Sequence, residues 1–90
     1  EIGPNYPNPF NSYTAFLTPG NLSDKDDAYI EIFDILGAKI KSITISSSSN
    51  RVVWDGANQN GIPVASGVYF YRLCKGDRRY SSVHKMILLR

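Results

Sequence analysis

One run of residues decides the fold class of this 90-residue chain: Val68-Tyr69-Phe70-Tyr71-Arg72-Leu73-Cys74. Aromatic and β-branched residues, which favour strands, dominate the run, and successive side chains of a strand point to opposite faces. Tyr69, Tyr71 and Leu73 therefore share one face, which we expect to lie in a core. The turn residues Lys75-Gly76-Asp77 follow directly. The run predicts a β-strand that ends in a tight turn.

Other runs of the same kind recur along the chain, and turn residues separate them. Ala28, Ile30 and Ile32 fall on one face of the run 28–33, and Val52 and Trp54 share one face of the run 51–54. Helical periodicity is absent. We predict strands at 13–18, 28–33, 39–46, 51–54, 68–74 and 79–90, with turns at 34–37 and 55–61 and a polar loop at 20–27.

The isoleucines of the run 39–46 do not follow a single two-residue alternation. Ile40 falls on one parity, whereas Ile43 and Ile45 fall on the other. One extra residue reverses the alternation of a strand. We therefore predict a β-bulge near Lys41-Ser42 that gives the three isoleucines a common inward face.

About seven short strands separated by turns predict an all-β fold, an antiparallel β-sandwich. In sandwiches of the immunoglobulin-like kind, a tyrosine early in a late strand bonds through its hydroxyl to nearby backbone, and a buried tryptophan packs across the core. Tyr69, Tyr71 and Trp54 suit these places. We expect an immunoglobulin-like sandwich whose core contains Ile30, Ile32, Val52, Trp54, Tyr69, Tyr71 and Leu73.

Three prolines between residues 4 and 9 stiffen the first part of the chain. Each proline fixes its own φ and pushes the preceding residue towards extended backbone. We predict an extended arm over residues 4–10, with Tyr6 and Phe10 as its apolar contacts. The expected domain division is a linker and proline-rich arm at 1–12 and the sandwich at 13–90, as a module of a longer protein.

The composition argues against several classes of function. The net charge is +2 and the ten basic residues are scattered, so we expect no nucleic-acid partner. No run of about 18 apolar residues occurs, so we expect no membrane insertion. The single cysteine, Cys74, cannot form an internal disulfide and leaves the redox compartment open.

No group of residues has the spacing of a catalytic or metal site. His84 is the only histidine and has no second ligand near it in sequence, so we interpret it as a surface strand residue. Asp55, Asn58 and Asn60 resemble part of a calcium-binding loop, but its first and last ligand positions would both fall on glycines. We interpret them as turn residues, and predict no catalytic residues, metal or cofactor.

Several aromatic residues are candidates for surface exposure. A row of Tyr13, Tyr29, Phe33 and Tyr80 on one sheet would stack on sugar rings. Partial burial under the proline arm would explain Tyr29 and Phe33 equally well. This pattern supports an alternative function, in which the chain is an immunoglobulin-like spacer or a carbohydrate-binding accessory module of a multidomain hydrolase.

The segment 85–90 is apolar on both faces. Met86 and Leu88 can face the core, which leaves Ile87 and Leu89 on the opposite face. Such an end strand needs a cover, which a loop or a neighbouring molecule would supply. In the functional interpretation its edge is offered to a partner, by strand addition or groove docking.

Five segments spread over nearly the whole chain together carry a family resemblance. They are Asn5-Tyr6-Pro7-Asn8-Pro9-Phe10-Asn11, Ile32-Phe33-Asp34-Ile35-Leu36-Gly37, Val53-Trp54-Asp55-Gly56, Gly61-Ile62-Pro63-Val64-Ala65-Ser66-Gly67-Val68-Tyr69-Phe70-Tyr71-Arg72-Leu73 and Lys85-Met86-Ile87-Leu88-Leu89-Arg90. These segments resemble the C-terminal sorting domains of type IX secretion in Bacteroidetes-like bacteria. The likeness to the immunoglobulin-like domain of the flagellar hook-capping protein is looser.

The resemblance implies a non-catalytic sorting module at the C-terminus of a larger exported protein. Its expected partners are the outer-membrane secretion machinery, a processing sortase and a covalently linked upstream domain, and we expect a monomer. The implied location is the periplasm in transit, then the medium or the outer cell surface. From the apolar end strand, we expect recognition through Lys85, Met86, Ile87, Leu88, Leu89 and Arg90.

Overall fold

The computed structural model describes residues 4–17, 28–46, 51–76, 78–79 and 83–90, so the predicted loop 20–27 lies outside the described residues. In these ranges the chain forms eight β-strands and no helix, and hence no helix long and apolar enough to cross a membrane. The strands are β1 (Asn5–Tyr6), β2 (Thr14–Leu17), β3 (Ala28–Asp34), β4 (Lys39–Thr44), β5 (Arg51–Trp54), β6 (Gly67–Lys75), β7 (Arg78–Arg79) and β8 (His84–Leu88).

The strands form two antiparallel sheets, in the orders β1-β2-β5 and β4-β3-β6, with β7 and β8 both paired to β6. Because β3 occupies one side of β6, β7 and β8 lie on its other side, at opposite ends. Counted as one interrupted strand, β7 and β8 bring the total to seven. The predicted immunoglobulin-like β-sandwich is confirmed.

The phase change within β4 has the predicted cause. Ile32 pairs with Lys41 and Phe33 pairs with Lys39, so Ile40 is the extra residue of a β-bulge. The bulge lies one residue before the position predicted from the sequence. Ile40, Ile43 and Ile45 all reach the core as a result.

The core lies between the two sheets, where aromatic rings from both meet. The Phe16 and Tyr71 rings are 4.6 Å apart, and Trp54 contacts the Tyr69 ring edge-on at 5.5 Å. Such tilted pairs match the negative face of one ring with the positive edge of another. The seven residues that the sequence places in the core are all buried: Ile30, Ile32, Val52, Trp54, Tyr69, Tyr71 and Leu73.

Buried polar groups of these aromatic residues have backbone partners. The Tyr69 hydroxyl donates to the Ala65 carbonyl at 2.6 Å, which is the local tie expected of an immunoglobulin-like sandwich. The Trp54 indole N–H donates to the Ala57 carbonyl at 2.8 Å. Both bonds offset the cost of removing these groups from water.

Candidate recognition surface

The side chains of β8 divide between core and surface. Met86 and Leu88 are fully buried between the sheets. Lys85 is exposed and Ile87 is half-buried, and in the register of the sheet they lie opposite Phe70 and Val68 of β6. Leu89, just after the strand, is 54% exposed. A partner that approaches the folded domain can therefore touch only part of the segment 85–90.

Arg90 is held against the loop that joins β5 to β6. Its guanidinium donates to the Val64 carbonyl at 2.8 Å and to the Gly56 carbonyl at 2.7 Å, and its backbone N–H donates to the Ser66 hydroxyl at 2.9 Å. Charge-assisted bonds of this kind are stronger than neutral ones. Arg90 therefore fixes the position of the residues before it.

Gly56 has no side chain, and this leaves the space that the Arg90 guanidinium occupies. The φ of Gly56 is +76°, and a Cβ built there would lie 2.6 Å from Nη2 of Arg90. We expect Gly56→Ala to lower the free energy of unfolding by about 2–3 kcal/mol, through left-handed backbone strain and displacement of the guanidinium. Urea unfolding followed by Trp54 fluorescence measures the change.

Gly61 provides the matched control for this substitution. Its φ is +80°, but nothing lies within 4 Å of an added Cβ. Gly61→Ala should therefore cost only the backbone strain, about 1 kcal/mol. In an Arg90→Ala background the difference between the two alanine variants should vanish. Equal costs in the native background would contradict the role of Gly56.

The outer backbone edge of β8 is covered by the proline-rich arm. The Asn8 side chain donates to the Lys85 carbonyl at 3.4 Å and accepts from the Ile87 N–H at 3.0 Å. Phe10 donates its N–H to the Ile87 carbonyl at 3.0 Å and accepts from the Leu89 N–H at 2.8 Å. The free edge considered from the sequence is absent here, because the arm occupies it.

The base of the arm is anchored by a small polar network. The Asn5 amide group donates to the Thr14 hydroxyl at 2.9 Å, which in turn donates to the Pro7 carbonyl at 2.8 Å. The Asn5 N–H donates to the Tyr71 hydroxyl at 3.0 Å. Burial raises the pKa of Tyr71 above its usual value, and the hydrogen bond from Asn5 opposes this shift.

The two aromatic residues of the arm have different surroundings. Phe10 is only 3% exposed, and its ring lies 5.6 Å from that of Trp54. Tyr6 is 81% exposed. The expectation that both residues hold the arm is therefore right for Phe10 and wrong for Tyr6.

Residues of the arm and of the segment 85–90 line one open surface. A cavity of about 400 Å³ is lined by Pro7, Pro9, Phe10, Asn11 and Leu89. We use the name terminal surface for this cavity together with the side chains of Lys85 and Ile87. Two segments at opposite ends of the sequence thus form a single candidate site.

A family model described as the secretion system C-terminal sorting domain matches residues 5–89, which include both segments of the terminal surface. The chain belongs to this family. It is a sorting signal for type IX secretion, and directs the protein that carries it through the periplasm to secretion and the outer cell surface. As a signal module the sorting domain is non-catalytic, and the secretion system recognises it.

Two solved structures from Porphyromonas gingivalis are similar to the sorting domain. Dimeric latent PorU matches 96% of this chain with a TM-score of 0.75 and 27% identity. PorZ, a surface component of the type IX secretion system, matches 97% with a TM-score of 0.67 and 22% identity, which supports the fold alone. The chain spans 9% and 11% of those proteins. A comparison with curated proteins gave no match.

The aromatic residues considered for sugar binding do not form one row in the sorting domain. Phe33 stacks on Phe70 at 5.9 Å, and the Arg72 guanidinium lies 5.0 Å from the Phe33 ring centre. Tyr13 instead lies beside Tyr6, Ala15 and Leu17 on the three-stranded sheet. Tyr80 lies outside the described residues. The carbohydrate-binding alternative is not favoured.

His84 is not the surface residue that the sequence suggested. It shares the parity of Met86 and Leu88, and its ring stacks on Tyr71 at 5.2 Å. Its Nε2 atom is buried, and no described residue forms a hydrogen bond with it. The signal was present in the sequence, because the alternation that turns Met86 inward turns His84 inward too.

The polar residues of the turn after β5 bond to their own backbone. The Asp55 carboxylate accepts from the Ala57 N–H at 3.2 Å, and the Asn58 side-chain oxygen accepts from Asn60 and Ile62 at 2.9 and 3.0 Å. These are the local bonds that make Asp and Asn turn formers. Within the described part of the chain no group of three metal-ligating side chains converges.

Proposed function

We propose that the secretion machinery recognises the sorting domain through the side chains of Lys85, Ile87 and Leu89. In this proposal Met86 and Leu88 seat the strand in the core, and Arg90 fixes its end. The observation that supports it is the division of β8 between buried and accessible side chains. A rigid scaffold beneath three accessible side chains reduces the ordering cost of binding.

The chemistry of the terminal surface suits a protein partner. The Leu89 side chain lies beside Pro7 and Pro9 of the arm, and the half-buried Ile87 and the exposed cation Lys85 precede it on β8. Protein interfaces commonly combine an apolar centre with a charged rim. We infer that the partner presents an apolar patch with a carboxylate at its edge.

The test fuses residues 1–90 to a fluorescent reporter in a host that has type IX secretion. The variant carries Lys85→Glu, Ile87→Ser and Leu89→Ser. We expect it to lower the exported fraction by about tenfold or more, as for loss of the central contacts of an interface. Trp54 fluorescence and urea unfolding of the purified domain check that the variant is folded.

A matched control changes one cation, one β-branched residue and one leucine on the other sheet, as Arg51→Glu, Val53→Ser and Leu17→Ser. All three side chains are exposed. Export of this control should match that of the unchanged domain. Undiminished export of the first variant, or an equal loss in the control, would contradict recognition through the terminal surface.

We propose that the domain acts as a monomer. Sheets associate through free edges, and on the five-stranded sheet Asn8 covers β8 while Gln59 bonds to the Ser42 N–H and the Ile40 carbonyl of β4. The sedimentation coefficient should not change with protein concentration. A dimer at micromolar concentration would contradict this proposal.

We also propose that the processing sortase cuts on the N-terminal side of Asn5. From Asn5 onward the main chain is held by hydrogen bonds to β2 and Tyr71, and proteases need an accessible extended segment. Mass spectrometry of the domain released after export should find a first residue at or before Asn5. A first residue after Asn5 would contradict the proposal.

A further inference from the structure

The outer edge of β8 forms its hydrogen bonds with the proline-rich arm. The backbone groups that face away from β6 belong to alternate residues, Lys85, Ile87 and Leu89. Alternation of this kind is the hydrogen-bond pattern of a strand ladder. The bridge between Phe10 and Leu88 is parallel, so the arm runs in the direction of β8.

The arm covers this edge incompletely. Two of the four hydrogen bonds come from the Asn8 side chain rather than from backbone, and one of these is long at 3.4 Å. Pro7 and Pro9 have no N–H to give to a ladder. Asn8 and Pro9 are also exposed. An extended peptide without these prolines would pair with β8 through backbone alone.

The opposite edge of the same sheet is protected differently. Gln59 accepts from the Ser42 N–H at 2.9 Å and donates its own N–H to the Ile40 carbonyl at 3.0 Å. It lies in a tight turn stabilised by the Asn58 side chain. The cover of β4 is therefore built into a turn, whereas the cover of β8 is a segment near the start of the described chain.

We propose that Asn8, Pro9 and Phe10 occupy the edge of β8 at which a strand of the recognising protein binds. On recognition the arm leaves, and an extended segment of that protein pairs with β8 in parallel, with a large apolar side chain where Phe10 packs on Trp54. The pocket beside Trp54 sets the specificity, and the backbone ladder supplies the affinity. This inference rests on the proposed function, because it assumes that recognition occurs at β8.

Amide hydrogen exchange by NMR tests whether the arm opens. The N–H groups of Ile87 and Leu89 face the arm, whereas those of Met86 and Leu88 face β6. We expect the first pair to exchange about a hundredfold faster, because local opening needs less free energy than global unfolding. Asn8→Ala removes both side-chain bonds to β8 and should accelerate the Ile87 amide a further five- to tenfold, roughly the effect of losing its own hydrogen bond to Asn8. Asn11→Ala, also in the exposed part of the arm, is the control.

A peptide in trans tests whether the site accepts another strand. A synthetic peptide with the sequence of residues 4–12 is added to the Phe10→Ala domain, whose pocket beside Trp54 is empty. We expect the peptide to raise the melting temperature and to restore protection of Leu89. The same peptide with alanine in place of Phe10 should do neither.

Several outcomes would overturn the inference. Equal exchange of all four amides would mean that the arm opens only with the whole domain, and no response to the peptide would mean that the site takes no second strand. Dimers of Asn8→Ala that exchange arms would identify a second copy as the occupant. Lower export of a folded Asn8→Ala fusion would show that recognition needs the arm in place. The Lys85, Ile87 and Leu89 variant tests the proposed function separately.

Discussion

A domain that lacks residues 85–90 is expected to be unfolded, and its fusion is expected not to be exported. The deletion removes two fully buried side chains, Met86 and Leu88, and most of the strand paired to β6. Truncating one such side chain to alanine costs about 2–5 kcal/mol, against a total stability of about 5–10 kcal/mol for a domain of this size. Circular dichroism and the loss of cooperative urea unfolding measure the result.

Two neighbouring leucines separate folding from recognition in this segment. Leu88→Ala should lower the free energy of unfolding by about 3–5 kcal/mol, because Leu88 is fully buried. Leu89→Ala should cost about 0.5 kcal/mol or less, because its side chain is largely in solvent. Equal costs would contradict the division of the strand. Because deletion of residues 85–90 is expected to unfold the domain, a loss of export after that deletion does not test recognition. The variants of the exposed side chains test it instead.

The sheet architecture follows from local signals that the sequence carries openly. The strand at 51–54 has the predicted bounds, and Gly37 and Gly61 take the positive φ that their turns require. The bulge in β4 was located to within one residue from the phase of its isoleucines. Alternation and turn chemistry are properties of neighbouring residues, so a single sequence suffices to read them.

The candidate site follows from contacts that the sequence does not display. Asn8 and Ile87 are 79 residues apart, and no periodicity connects a proline-rich arm to a strand at the other end of the chain. The contact between Gly56 and Arg90 is likewise a product of the folded loop. The sequence therefore locates the segment 85–90, and its alternation turns Met86 and Leu88 inward, but nothing in it shows that the arm covers the backbone edge of β8.

The largest expected effect of a single change in the arm is that of Phe10→Ala. Its ring is buried against Trp54, and its backbone supplies two of the bonds that cover β8. Loss of a buried phenylalanine side chain costs about 3–5 kcal/mol. We expect a loss of this size in urea unfolding, together with faster exchange of the Leu89 amide.

Tyr6→Ala is the matched control, because Tyr6 is an exposed aromatic residue of the same arm. Tyr6→Ala should change the free energy of unfolding by no more than about 0.5 kcal/mol. Similar costs for the two variants would contradict the different surroundings of the two rings. A large cost confined to Phe10 would mean that the sandwich is incomplete when cut at the predicted boundary of residue 13. The arm would then be a folding element of the domain, and its release from β8 would use part of the stability that Phe10 contributes.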